Sequence, residues 1–389
     1  MSELSLLGVG IVGSGVVRAC GVPDAPWSIR HALVRDTTRV REALLPPACL
    51  TTDPAVALSG EGPVIEVLGG EQPAADLIAA ALEAGRPVAT ANKMAIALHG
   101  PRLFALARER GVGLGIEACV GGGVPVIAAL RQLAGGQRLT AIGGVVNGTT
   151  NAILSGIEAG QTYAEALADA QAAGFAEPDP SADVDGHDPA AKLTILVALA
   201  FGLRLDPTTV PRRPLADISP ADLRWASGRG ARVKYLARAI LAEDGSLQAT
   251  VEPTALLATD PLASPNGSGN AIRIEGPLIG ATTLTGPGAG PAPTAGALLG
   301  DVALAVAGRT SLDYPAPDAP LVTPSAPRGP WVARLPAGAD RAAFPADTRW
   351  ETDGDDQIAL IPDASAPTLA PLVRDLGGTC FRWDAGLLS

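Results

Sequence analysis

Apolar residues recur along the first 120 residues in short runs separated by stretches of helical spacing, the alternation that builds a parallel α/β sheet. Ser5-Leu6-Leu7 ends a first strand, and residues 11–19 carry apolar positions at helical intervals. Ala32-Leu33-Val34 reads as a second strand and residues 63–68 as a third, followed by Gly69-Gly70 and a helix over about 73–84. Residues 87–90 give a short fourth strand, 94–110 a helix and 112–117 a fifth strand.

The pattern then changes. Residues 121–286 read as an inserted α+β region, with helices over 124–133, 151–159 and 163–173 and a strand over 139–146. Residues 188–203 form a longer helix that is apolar on most faces, which predicts burial. The apolar stretch Val233-Lys234-Tyr235-Leu236-Ala237 reads as a structural helix. Gly286-Pro-Gly-Ala-Gly290 opens a loop into an apolar helix over 294–308, and the proline-rich residues 314–330 look like a linker. No internal repeat stands out. The expected class is α/β: a Rossmann-type parallel-sheet domain (1–122 plus 287–312) and an inserted α+β domain (123–286). A linker (313–330) and a small C-terminal module (331–389) complete it.

A length of 389 residues suits two or three domains. Apolar residues make up 47% but aromatics only 3%, so the core must be aliphatic. A net charge of −11 argues against nucleic acid or an anionic membrane as partner. Cys20, Cys49, Cys119 and Cys380 lack C-x-x-C spacing, which suits a reduced, cytoplasmic chain. His31, His99 and His187 are too dispersed for a transition-metal cluster. The apolar start has no basic segment ahead of it, unlike a secretory signal. No apolar run is long enough, and free enough of Gly, Pro and charge, to span a bilayer.

Gly8-Val9-Gly10-Ile11-Val12-Gly13 is G-x-G-x-x-G between a strand and a helix. In that context the first glycine allows a tight turn and the second lets a pyrophosphate approach the backbone. The third lets the helix pack closely on the strand, with its N-terminal N–H groups facing the phosphates. At the end of the second strand, Arg35 and Arg39 would suit the 2′-phosphate of NADP, whereas Asp36 would suit the ribose of NAD. The arginines favour NADP, with NAD the alternative.

The chain holds three lysines, Lys93, Lys192 and Lys234, against twenty-six arginines. A lysine retained in so arginine-rich a chain marks a place where guanidinium will not serve, because an ammonium can release its proton. Lys93 ends Thr90-Ala-Asn-Lys93, and Lys192 ends the run from Asp183 through Asp185, His187 and Asp188. Asp188 and Lys192 stand four apart and share a helix face. Asp188-Pro189 also reads as an N-cap and first helical residue, setting Lys192 near a helix start, where the dipole disfavours a cation. Neighbouring carboxylates oppose that effect. Glu177, Asp179, Asp183 and Asp185 precede the helix as either a solvated loop or a set of carboxylates for a substrate ammonium.

Seven blocks in order resemble the homoserine dehydrogenase family over residues 5–310. They are the glycine loop, Thr90–Lys93, Glu117-Ala-Cys-Val-Gly-Gly-Gly-Val-Pro125, Asn147-Gly-Thr-Thr-Asn151, Gly174-Phe-Ala-Glu-Pro-Asp-Pro180, the Asp183 to Lys192 run and the Gly286 to Gly290 loop. The resemblance implies a dinucleotide-binding domain and an inserted α+β substrate and dimerisation domain, and reversible NAD(P)-dependent reduction of L-aspartate 4-semialdehyde to L-homoserine, in threonine and methionine biosynthesis, by a homodimer or homotetramer. By position it implies Lys192 as proton donor and Lys93 as a second catalytic lysine near the nicotinamide, with Glu177, Asp183 and Asp188 holding the substrate. Gly8, Gly10, Ile11, Val12, Gly13, Arg35, Thr90, Lys93, Gly174, Gly288 and Gly290 would touch the cofactor. The family's monovalent cation site, such as one for Na+, would fall on Glu117, Val120, Gly122 and Val124.

Asp185, His187 and Pro189 depart from residues usual in the family, which leaves open a relative acting on a different amino or hydroxy acid semialdehyde. A catalytically inactive cofactor-binding regulator is a further alternative, opposed by Lys93, Lys192, Glu177 and Asp188 together. No aspartate kinase module is expected ahead of the domain. Residues 331–389 fall where some relatives carry an ACT regulatory domain, so they raise the expectation of threonine feedback, although a glycine-led ligand loop is lacking.

Overall fold

In the computed structural model, which describes residues 2–41, 45–309 and 312–386, the chain begins with β1 (Ser2–Leu7), α1 (Ile11–Cys20) and β2 (Trp27–Leu33). There follow β3 (Leu50–Thr51), α2 (Pro54–Ala57), β4 (Val64–Glu66), α3 (Ala74–Glu83), β5 (Val88–Thr90), α4 (Lys93–Arg110), β6 (Leu114–Gly115) and α5 (Val126–Ala134). The six strands are parallel and lie in the order β3-β2-β1-β4-β5-β6, the doubly wound arrangement whose switch point lies between β1 and β4.

The chain continues through β7 (Ala141–Val145), α6 (Gly148–Glu158), α7 (Tyr163–Ala172), α8 (Ser181–Val184), α9 (His187–Phe201) and α10 (Pro220–Ser227). Next come β8 (Ala231–Leu241), β9 (Leu247–Leu257), β10 (Gly269–Gly276), β11 (Gly280–Pro287) and α11 (Pro291–Val306). The last elements are β12 (Arg328–Leu335), β13 (Arg349–Asp353), β14 (Asp356–Ser365), α12 (Ala366–Asp375) and β15 (Thr379–Trp383).

Two compact units result. The first holds residues 1–137, 194–206 and 286–321, the second 138–193, 207–285 and 322–389. In the first, α11 packs along α1 and beside β5 and β6. Its Leu298 and Val302 are fully buried with Leu4, Leu6, Val16 and Ile65 in an aliphatic core. Each such side chain contributes about 1.5–3 kcal/mol through removal from water. Tyr314 also belongs to this unit. Its ring stacks on Phe104 at 4.6 Å, and Arg204 donates to the carbonyls of Pro317 and Ala319, so the proline-rich stretch is anchored there.

The second unit is built on a nine-stranded sheet, β11-β10-β7-β8-β9-β15-β12-β14-β13. β8 and β9 pair antiparallel over eleven residues each. β15 joins β9 in parallel through Arg382↔Thr254 and Trp383↔Ala255, so the C-terminal strands extend the same sheet.

Three sequence expectations need correction. Lys234 lies on β8, not in a helix. Residues 233–237 of β8 are buried without a break, so the polar alternation that marks a half-exposed strand is absent there. The fifth strand expected over 112–117 pairs only at Leu114–Gly115, because Glu117–Cys119 turn into a 3-10 helix. β3 was not anticipated; two residues carry no period. Among the described residues no helix is long and apolar enough to cross a membrane.

Candidate functional site

In the first unit the glycine loop has the geometry that each of its glycines was expected to supply. Gly8 has φ +107°, and a Cβ there would meet the Val67 carbonyl at 2.8 Å. A Cβ on Gly13 would sit 2.1 Å from the Gly8 carbonyl oxygen, so only glycine lets α1 pack this closely. A Cβ on Gly10 would meet nothing within 4 Å. This open position is the one the sequence motif reserves for a pyrophosphate. Gly10 is also the N-cap of α1, without a side-chain cap bond, so the N–H groups of the first turn are presented to a ligand.

A cleft of about 550 Å³ opens from this loop and is lined by Gly8, Gly10, Arg18, Arg35, Asp36 and Arg39, among others. Asp36 Oδ1 accepts from Thr38 N at 2.8 Å and Thr38 Oγ1 at 2.7 Å, bonds that hold its carboxyl below the usual carboxylate range. Arg41 donates to the carbonyls of Asp36 and Arg39 at 2.6 and 2.8 Å. The far end of the cleft is thus rich in guanidinium, and its acidic side chain is engaged by a local turn.

At the carboxyl ends of β4 and β5, Glu66 is fully buried. It accepts from Thr90 Oγ1 at 2.5 Å and from Leu68 N at 2.7 Å. Burial raises its pKa even against those bonds. Thr90 therefore spends its hydroxyl on the protein. Asn92 donates to the Gly70 carbonyl (2.7 Å), accepts from Ala95 N and caps α4, of which Lys93 is the first residue. This polar knot fixes the helix start that carries Lys93. Sequence reasoning did not single out Glu66.

The segment expected to hold a cation is folded by its own carboxylate. Glu117 Oε1 and Oε2 accept from Ile127 N and Ala128 N, both at 2.8 Å, so the side chain caps the start of α5. Its backbone N–H donates to Asp301 Oδ2 of α11 at 2.7 Å. Asp301 is buried and its carboxyl is pushed up to about 7 by desolvation. Gly121 and Gly122 follow with φ +77° and +58°. A Cβ on Gly122 would lie 2.5 Å from the Gly288 carbonyl oxygen, and Gly123 N donates to Pro287 O. Two of the sequence blocks, 117–125 and 286–290, thus meet backbone to backbone. With its carboxylate committed to α5, Glu117 can offer a cation its carbonyl, alongside the carbonyls of Val120, Gly122 and Val124. Asp301 was the other residue overlooked here. It is the one acidic residue of an otherwise apolar helix, and that is its signal.

In the second unit the acid/base run closes into a network. Lys192 Nζ lies 2.7 Å from Asp188 Oδ2 and donates to the Val146 carbonyl at 2.8 Å. Asn147, 3% exposed, donates from Nδ2 to Asp183 Oδ1 (2.6 Å) and to Asp188 Oδ2 (2.7 Å). Its Oδ1 accepts from Thr150 N and caps α6. Burial raises the Asp183 pKa, and the charge of Asp188 adds to that. Asp188 does not precede the helix as a cap. It lies in the first turn of α9, which starts at His187. Glu177 stands exposed, with its carbonyl accepting from Gln171 Nε2, outside that network among the described residues. Gly174, at φ +75°, and His187 are exposed and Asp185 is half-buried. Asn147 was quoted in a sequence block without a role, and its signal was that of an N-cap.

The third lysine belongs to the scaffold. Lys234 is fully buried and donates to Asn151 Oδ1 (3.0 Å) and the Pro265 carbonyl (2.7 Å). Asn151 Nδ2 in turn donates to the carbonyls of Pro265, Gly267 and Gly269. Burial lowers the Lys234 pKa to about 8. Among the described residues no group of three or more His, Cys, Asp or Glu is placed to hold a metal, and the four cysteines are free.

Comparison with known proteins places these features in a family. Residues 8–117 match the family profile described as the NAD binding domain of homoserine dehydrogenase, and residues 125–303 match the homoserine dehydrogenase profile. A homoserine dehydrogenase of Synechocystis is 40% identical over 80% of this chain and 75% of its own. That of Corynebacterium glutamicum is 39% identical over 77% of this chain and 70% of its own. The crystal structure of a homoserine dehydrogenase from Thiobacillus denitrificans superposes with a TM-score of 0.84 at 29% identity, covering 99% of this chain and 98% of that one.

Proposed function

Because the chain belongs to the homoserine dehydrogenase family of NAD(P)-dependent oxidoreductases, we propose that it interconverts L-aspartate 4-semialdehyde and L-homoserine with Lys192 as the proton donor. The observation that carries this reading is the placement of Lys192. An ammonium has three N–H donors. Asp188 and the Val146 carbonyl take two directions of the Lys192 head group, and the third is the one that would meet the substrate oxygen. In reduction, the aldehyde oxygen gains negative charge as the carbonyl carbon gains hydride. Lys192 meets that charge and hands over its proton. A nicotinamide bound at the glycine loop supplies the hydride.

Asp183 and Asp188 are the carboxylates that would receive the substrate's ammonium and hydroxyl. Glu177 on its exposed loop is assigned to the substrate by position in the sequence alone. Lys93, at the start of α4, is assigned to the substrate oxygen and the nicotinamide. NADP is the preferred cofactor. Arg35, Arg39 and Arg18 line the cleft, and the carboxylate that would otherwise favour NAD is engaged with Thr38. A monovalent cation such as Na+ would take its hard oxygen donors from Glu117, Val120, Gly122 and Val124.

The test is the initial rate of nicotinamide reduction with purified protein, L-homoserine and either NADP or NAD. Turnover faster with NADP is expected, and Arg35→Ala narrows the gap by raising KM for NADP alone. Folded protein that binds cofactor yet leaves L-homoserine untouched overturns the reading in favour of another semialdehyde.

A further inference from the structure

The acid/base network is tied together by a residue that carries no charge. We infer that Asn147 is the positioning residue of the substrate site, its amide holding Asp183 and Asp188 side by side so that both receive the substrate as carboxylates. The inference rests on the assignment of those two aspartates to the substrate.

The geometry leaves the amide little else to do. Asn147 Nδ2 has two hydrogens; one goes to Asp183 Oδ1 at 2.6 Å and the other to Asp188 Oδ2 at 2.7 Å. Two carboxylates bound to one nitrogen are close enough to repel, and a buried like-charged pair tends to take up a proton. The amide opposes this by donating to both charged forms. It is itself aimed by its other end, because Oδ1 accepts from Thr150 N at 2.9 Å as the cap of α6.

One turn along the same helix, Asn151 is bound by Lys234 and three carbonyls of residues 265–269, so α6 cannot rotate without breaking them. The charged groups that act on Asp183 are Asp188 and Lys192 of α9, whereas α6 offers it only the neutral Asn147 and Thr149. Losing the amide therefore leaves Thr149 as the one α6 side chain that favours the charged form of Asp183, and removes the donor that joins it to Asp188.

A structural cap and a positioning donor can be separated by substitution. Asn147→Ser and Asn147→Asp both keep a side-chain oxygen suited to capping α6, but neither can donate to two carboxylates. The inference expects Asn147→Ser to melt near the wild-type temperature, and Asn147→Asp, which sets a third carboxylate against Asp183 and Asp188, to melt lower. It expects KM for L-homoserine to rise about tenfold or more, the loss that follows from hydrogen bonds to charged groups, with KM for the cofactor unchanged. The sign of the pH effect is fixed: without the donor the charged form of Asp183 is less favoured, so its pKa rises. The acid limb of kcat/KM then moves to higher pH. A role confined to capping, which serine still fills, would leave both KM and that limb where they are, and an unmoved limb with intact KM overturns the inference.

Titration of carbon-13-labelled aspartate carboxyls by NMR reads the same shift without turnover. Should wild type prove silent on L-homoserine, the functional reading fails by itself, and an unchanged Asp183 titration in Asn147→Ser still overturns the role of Asn147.

Discussion

Lys192 and Lys234 share a residue type and differ in everything that decides chemistry. The first is partly exposed, its ammonium held between Asp188 and a carbonyl. Guanidinium keeps its proton, so Lys192→Arg is expected to lose at least about a thousandfold in kcat while cofactor binding, read by quenching of reduced nicotinamide fluorescence, stays near wild type. An active arginine variant would reduce the lysine to a positive charge. Lys234 makes a prediction about stability instead. Its pKa falls from an ordinary lysine value to about 8 in the fold. The unfolded chain then binds more protons between these values, so the fold gains stability as pH rises through 8. Relative to Lys234→Met, wild type is expected to gain about 1 kcal/mol between pH 7 and pH 9 in urea melts. A difference independent of pH would refute the burial of a charged amine. The scarcity of lysine singled out all three positions, and the apolar stretch around Lys234 already marked that one as structural; packing decided that it sits on a strand.

At the scale of elements, the strand-to-helix turn at the glycine loop gives a paired prediction. Gly13→Ala drives a methyl to within 2.1 Å of the Gly8 carbonyl oxygen and should lower the melting temperature and abolish cofactor binding together. Gly10→Ala meets no protein atom within 4 Å, so it should fold normally and lose only cofactor affinity. If both variants lost stability alike, the open space at Gly10 would not be the phosphate site. Helix α11 carries a second prediction. Desolvation raises Asp301 to about 7, so its burial costs the fold more as pH rises towards that value. Asp301→Asn keeps an acceptor for Glu117 N and removes the titration. Its melting temperature should rise relative to wild type between pH 5 and 8; a constant offset would contradict the buried charge. Elements with a strong local period, β1, α1, α4 and α9, were legible in the sequence. Those whose form depends on a distant partner were not: β3 needs β2 to pair, and β8 reads as helix until β7 and β9 pair with its two edges.

On the scale of the whole chain, the C-terminal residues are integral to the second unit. Arg334, on β12, is nearly buried and bonds Asp222 of α10 together with Asp353 and Asp356. Asp222 also accepts from Thr379 and closes the capping box of α10. Arg334→Leu is expected to cost about 3–5 kcal/mol, because it leaves Asp222 buried without its counter-charge. Circular dichroism under urea would measure it, and a loss below 1 kcal/mol would show that water replaces the guanidinium. Removing residues 328–389 should go further, since it strips β15 from β9 and exposes the Trp225 face against which Phe381 and Trp383 pack.

The sequence by itself determined the doubly wound unit, the glycine loop and the charged runs that hold the candidate site residues. These depend on periodicity and spacing within a few residues. Tertiary structure alone decided that Lys234 bonds Asn151 and the Pro265 carbonyl from a strand, that Glu117 turns its carboxylate to a helix start, and that one amide joins Asp183 to Asp188 across 36 and 41 residues of chain. It also decided that the last strand closes on β9. Each of those outcomes is a pairing of groups that meet only after the chain has folded, and burial, which sets the need for each partner, is not a property of any segment alone.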